Sequence, residues 1–251
     1  MQDFTLKILT ELYNKLRKNN YEIITLCDFL KKDKSNKVCI LRHDVDRWIK
    51  NAVALANTEY TLGISASYYF RYQKTFDKNI INKIKSFGHE IGYHYEVLAK
   101  VKGNYEKAIE LFKGELAEFN KISPVNTICA HGSPFSKWDN RKLWNKYNFI
   151  DFGIIGEAYL SIDFNEVLYL SDTGRSWKHG VGNIRDRVKT ELNYVFSDTH
   201  ELILAITENT LPDKIMLNIH PNRWNDNLFL WVTELVGQNI KNLLKRTISY
   251  K

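Results

Sequence analysis

The chain has 251 residues, 44% of them hydrophobic and 26% charged, a composition that excludes a disordered or collagen-like polypeptide. That length suits one barrel-sized domain spanning residues 1–251. The net charge of +7 does not by itself imply nucleic-acid binding, because lysines spread along helices form a solvated face and no basic-aromatic reader motif is present.

Asp3, Lys7 and Glu11 interrupt the first residues before any apolar run long enough for a signal peptide. No later stretch approaches the ~18 uninterrupted apolar residues of a membrane span. A soluble protein with a cytoplasmic address is expected. Phe4, Ile8, Leu12 and Leu16 form the apolar stripe of a first helix. Lys31, Lys32 and Lys34 read as a solvated loop. The first strand is Val38–His43 (VCILRH), a near-continuous apolar run of the kind that parallel strands covered on both faces show. It runs into Asp44, Val45 and Asp46. Carboxylates at i and i+2 of an extended chain point to the same side, where their repulsion raises one pKa or attracts a metal. The alternative is that one of them caps the helix beginning near Trp48.

Trp48–Tyr60 and Lys78–Phe87 fit helices, the second closed by Gly88, and Ile64–Phe70 fits a strand between them. Glu90–His94 is the next strand, within GHEIGYHYE. Glu90, Gly92, His94 and Glu96 share its parity. Asn104 and Glu106 open a helix whose stripe is Ile109, Phe112, Leu116 and Phe119. The strand Asn126–Ala130 ends at His131, after which Gly132 and Pro134 break the chain. Phe149–Ile154 and Val167–Leu170 are short strands. Ile215–His220 is the last, with Met216, Asn218 and His220 on one face. The polar Asn218 points to a polar site rather than a helix. Leu228, Trp231, Leu235 and Leu243 define a C-terminal helix. His179 and His200 have no partner motif and read as surface or local structural residues. Three cysteines without a C-x-x-C pair argue against a disulfide framework; Cys39 and Cys129 read as buried thiols.

Alternating strands and helices predict an α/β fold of about seven parallel strands, a barrel-like closure or an open sheet. In either, ligands gather at the carboxyl ends of the strands. Four such ends carry Asp44/Asp46, His94, His131 and His220. Imidazoles with a carboxylate are a zinc-type ligand set, and an open position makes such a site catalytic.

This order of motifs resembles the polysaccharide deacetylase family, the NodB-homology fold or carbohydrate esterase family 4. The resemblance spans roughly Val38 to Trp224. G-H-E-I-G-Y-H is its most specific stretch, and R-H-D-V-D resembles the family's aspartate motif. The resemblance implies a distorted (β/α) barrel that removes N- or O-acetyl groups from saccharides with a divalent metal, zinc as a rule. By the match, Asp44 is the general base, Asp46 and His94 bind metal, and His220 is the general acid. Asp172, Arg175 and Trp177 lie where the family places substrate-pocket residues.

The chain departs from the family at two points. Leu98 stands where a second metal histidine is usual, and an Arg-Pro-Pro segment is replaced by AHGSPF. His131 is then expected to complete the metal site with Asp46 and His94, and Glu96 is its rival. Arg42, two residues before Asp44, is expected to supply the missing positive charge. Trp177, Trp224 and Tyr95 are candidates to stack on a sugar, and Arg175 and Arg223 to meet an anionic portion of the substrate. The expected function is deacetylation of a saccharide intermediate, such as a sugar nucleotide or lipid-linked saccharide, in cell-surface polysaccharide biosynthesis. The alternative is a degenerate barrel that binds carbohydrate without hydrolysis, which the loss at Leu98 favours.

Overall fold

The computed structural model describes residues 2–31, 37–133, 136–178 and 186–249, with side chains to residue 243. Lys32, Lys34, Pro134 and His179 lie outside these residues.

Eight strands form one sheet: β1 (Glu22–Ile24), β2 (Val38–Val45), β3 (Ser67–Phe70), β4 (Glu90–Tyr95), β5 (Thr127–Ala130), β6 (Gly156–Glu157), β7 (Leu168–Ser171) and β8 (Lys214–Ile219). The path runs β6-β5-β4-β3-β2-β8-β7, and every pairing is parallel. β2 is the longest strand and serves two neighbours on one edge. Its residues 38–40 pair with β1, and Arg42–Val45 pair with β3. The curled sheet is a distorted (β/α) barrel whose end strands, β6 and β7, do not pair with each other among the described residues.

The helices between the strands form for local reasons. α1 (Leu6–Lys18) starts at Thr5, whose side chain accepts from the Ile8 N–H, and ends in Lys15, Arg17 and Lys18, favourable at the helix C-terminus. α2 is Leu26–Lys31 and α3 is Ile49–Thr61. α4 (Lys78–Ser86) is capped by Asp77, and the following Gly88 has a φ of 86°. α5 (Val97–Lys100) is one turn; α6 (Tyr105–Asn120) is capped by Asn104. α7 is Thr199–Thr207 and α8 is Leu228–Ser249.

Strand alternation divides the apolar residues between two cores. Leu41, Tyr68, Tyr93 and Leu217 face outward and pack against the helices, with Leu12, Leu55 and Phe112 in the same cluster. Ile40, Tyr69, Cys129 and Met216 face into the barrel. There Leu26 and Phe29 of α2 join them and close the amino end of the barrel. Polar bonds fix α2 in place: Leu26 N–H donates to Ser67 and Cys27 N–H to Glu90. The carboxyl end holds the polar side chains.

Two sequence expectations change. Phe149–Ile154 is not a strand: Phe149–Phe152 is a 3-10 turn, capped by Asn148 and ended by Gly153 at a φ of 76°. The pairing strand follows at Gly156–Glu157. The expected Ile64–Phe70 strand begins pairing only at Ser67. Among the described residues, no helix is long and apolar enough to cross a membrane. The three cysteines are free and buried.

Candidate metal and catalytic site

Every residue at the centre comes from the inward parity of a strand or the residue just beyond it. Arg42 and Asp44 face inward from β2, and Asp46 follows its end. His94 lies on β4 opposite Cys129 of β5, and His131 follows β5. Asn218 lies on β8 opposite Arg42, and His220 follows β8. Parallel register brings these carboxyl ends level, so residues 174 positions apart touch: Asn218 Nδ2 donates to Asp44 Oδ2 at 3.2 Å.

Asp46, His94 and His131 converge, with ligating atoms within 4.8 Å of one another. Asp46 Oδ1 lies 3.6 Å from His94 Nε2 and 3.5 Å from His131 Nε2. Both separations are too long for good hydrogen bonds. They are close to the ~3.4 Å edge of a tetrahedron with ~2.0–2.1 Å bonds, the geometry of a zinc site with nitrogen and oxygen ligands. Asp46 Oδ1 is also buried without a hydrogen-bond partner among the described residues, an arrangement a divalent cation would satisfy.

The imidazoles are oriented from behind. His94 Nδ1 lies 3.0 Å from the Cys129 carbonyl, which only accepts, so Nδ1 carries the proton and Nε2 faces the centre with its lone pair. His131 Nδ1 lies 3.2 Å from Glu96 Oε2, and Arg71 donates to the same carboxylate oxygen at 2.7 Å. Glu96 therefore stands behind His131 rather than in the ligand cluster. Burial lowers the His131 pKa and favours the neutral, ligating form. For His94, burial pulls the same way, but the carboxylates of Asp44 and Asp46 outweigh it and raise the pKa. Burial pushes the Asp46 carboxyl up, yet the surrounding imidazoles, His94 first, hold it well below the ordinary range.

Asp44 has a different environment. Arg42 Nη2 donates to it at 3.0 Å and to Tyr159 Oη at 2.7 Å. Burial alone would raise the Asp44 pKa, but Arg42, then His94 and His220, keep it below the usual carboxylate range. Neither aspartate caps α3; the residue at that position is Trp48, left-handed at a φ of 50° and without a side-chain cap bond.

On the opposite side, His220 Nδ1 donates to Asp172 Oδ1 at 2.7 Å, leaving Nε2 3.9 Å from Asp46 Oδ2. Asp172 also accepts from the Trp224 indole at 2.7 Å, from Arg223 and from the His220 N–H. These contacts change several expectations. Asp172 is fully buried and positions His220. Arg223 is engaged with Asp172, and Arg175 lies between the rings of Phe4 and Trp231, at 4.7 and 4.4 Å. Trp177 and Trp224 are each 1% exposed, so neither ring offers a face to a sugar; Trp177 donates to Thr199. Tyr95 is wholly buried in the outer core, bonded to Trp144 and Glu157.

Sequence reasoning missed Asp186, which accepts from Tyr159, Tyr169, Ser171 and Thr173 beside Arg42. It lies in no recognisable strand or motif, so no periodicity marked it. Tyr159, whose ring lies against the Arg42 guanidinium, was missed for the same reason; Tyr169, also against it, lies on the expected strand Val167–Leu170, where an aromatic in an apolar run reads as core.

No protein-family model matches the chain, and no curated protein does. Several solved structures are similar. A Streptococcus mutans CE4 esterase is 13% identical over 90% of this chain and 89% of its own, with a TM-score of 0.48. A family 4 acetyl xylan esterase from Clostridium thermocellum, solved with a cobalt ion, is 14% identical over 80% of this chain and 84% of its own, at 0.40. A CE4 family pseudoenzyme from Bacillus anthracis is 10% identical over 83% of this chain, at 0.44, and the chain spans 63% of its length.

Proposed function

We propose that the chain is a metal-dependent deacetylase of an acylated saccharide. The observation that carries this reading is the cluster of Asp46, His94 and His131, flanked by the Arg42–Asp44 pair and the Asp172–His220 pair. Asp46, His94 and His131 would hold the ion, which we infer to be zinc from the nitrogen and oxygen donors. When bound, it supplies Lewis acidity toward the acyl carbonyl and lowers the pKa of water.

The remaining chemistry belongs to the side chains. Asp44, kept ionised by Arg42, accepts the proton of the attacking water. Asn218 and Arg42 both donate to Asp44 Oδ2, which leaves Oδ1 as the basic oxygen, with only the weakly donating Cys129 thiol 3.6 Å away. His220 delivers a proton from Nε2 to the leaving amine or alcohol. Asp172 holds its ring in the required orientation through the bond to Nδ1.

Leu98, 1% exposed in the outer core, cannot bind metal, and that supports the rival reading of a barrel that binds sugar without hydrolysis. His131 at the neighbouring strand end offsets the loss. Metal analysis separates the two. Purified protein should carry one divalent ion per chain, and Asp46→Ala and His131→Ala should lose it. Glu96→Gln should retain the site with affinity reduced ~10–100-fold, as for outer-shell partners of metal histidines. A wild-type chain that takes up no divalent ion would overturn the hydrolase reading and leave the sugar-binding one.

A further inference from the structure

Beside the centre lies a cavity of about 310 Å³ that the deacetylase reading does not use. Arg141, Lys142, Arg187 and Lys189 line it, and Asp163 is its one carboxylate among the described residues. Arg141 is paired with Asp139, so the uncompensated positive charge of this small volume rests mainly on Lys142 and Lys189 against Asp163, and a multivalent anion would relieve it. Tyr159, Leu160, Ile162 and Phe164 provide an apolar floor.

Tyr159 joins this cavity to the candidate centre. Its ring lies near two guanidinium groups, Arg141 at 5.4 Å and Arg42 at 4.4 Å. Its hydroxyl accepts from Arg42, which in turn donates to Asp44. The wall of the basic cavity is thus two side chains from the inferred base. Arg141 is held in place by Asp139 at 2.7 Å and by the Arg187 carbonyl at 3.2 Å. That anchoring reduces the ordering needed when a ligand binds. Lys142 and Lys189 are exposed and can close over a ligand as charge-assisted donors.

We propose that this cavity binds the diphosphate of a diphosphate-linked saccharide, with the acylated sugar reaching past Tyr159 toward Asp44 and Asp46. The proposal rests on the deacetylase reading for the identity of the sugar end, but the anion site stands on its own lining. A nucleoside diphosphate and a prenyl diphosphate share the recognised chemistry. The apolar floor is compatible with either a base or the first isoprene units.

The test is calorimetric titration of the metal-stripped full-length chain with inorganic pyrophosphate, uridine diphosphate, geranyl diphosphate and neutral N-acetylglucosamine. The diphosphates should bind with an affinity that falls as salt rises, and the neutral sugar should bind far more weakly. Lys142→Gln/Lys189→Gln changes exposed side chains and should fold normally; it should weaken diphosphate binding at least tenfold. Asp46→Ala should retain that binding, which separates failure of the metal reading from failure of this one. Tighter binding of uridine diphosphate or of geranyl diphosphate than of pyrophosphate identifies the carrier. No diphosphate binding at millimolar concentration, or unchanged binding in the double variant, would overturn the proposal.

Discussion

At the scale of single residues, the centre works by giving chemically similar groups different surroundings. Asp44 and Asp46 are two positions apart, yet Asp44 meets a guanidinium and Asp46 meets imidazoles. The sequence placed both carboxylates on one side of a strand end; it could not assign their partners, because His94, His131 and Asn218 arrive from other strands. Arg42→Met removes the leading favourable charge beside Asp44. Its pKa should then rise, and the acid limb of the pH–rate profile should move to higher pH with the maximal rate changed less. An acid limb in the same place would show that Arg42 does not set the ionisation of the proposed base.

At the scale of elements, close approach of strands explains a glycine that motif reading could only quote. Gly92 on β4 lies opposite Tyr69 of β3. A Cβ there would come within 2.4 Å of the Tyr69 ring and 3.1 Å of the Thr127 carbonyl. The ring has little room to yield, because its hydroxyl is bonded to Thr127 Oγ1 at 2.7 Å. Gly92→Ala should therefore destabilise the fold by about 1–3 kcal/mol through overpacking, read as a lower denaturant midpoint at unchanged slope. An unchanged midpoint would mean the inner layer is looser than the contacts require. The long apolar stripes predicted α1 and α6, and both form. β1 has three residues and α2 six, too few for a period to show. The Phe149 segment was misread because a short apolar run fits strand and turn equally, and Gly153 decided between them.

Across the whole molecule, the outer face of β2 carries a second polar cluster. Glu59 of α3 is fully buried and accepts from Tyr13 of α1 and Tyr68 of β3, both at 2.7 Å; His43 of β2 lies 2.8 Å away. Four elements meet at this one carboxylate. Burial would raise its pKa, but His43 first, then His89 and the Tyr68 hydroxyl, hold it below the ordinary value of 4.5. A carboxyl depressed on folding stabilises the native state above its unfolded pKa, and that contribution fades as pH falls through the folded value. Stability should therefore decline below about pH 4.5. Glu59→Gln should lose about 3–5 kcal/mol at pH 7 by leaving buried partners unmatched, and its decline below about pH 4.5 should be shallower. An equal slope in both proteins would place the acid sensitivity elsewhere.

By itself the sequence determined the α/β class, the main strands and helices, and the set of polar side chains at strand ends. Those features depend on local periodicity and on the alternation of side chains along a strand. Only the tertiary structure decided which of those side chains meet. Parallel register set His131 beside Asp46 and placed Glu96 behind it; burial assigned Asp172, Arg223 and Trp224 to supporting His220. The basic cavity depends on the same kind of long-range packing, since its lining comes from residues 141–145, 159–164 and 187–189. No single segment carries enough of that charge for it to be read along the chain.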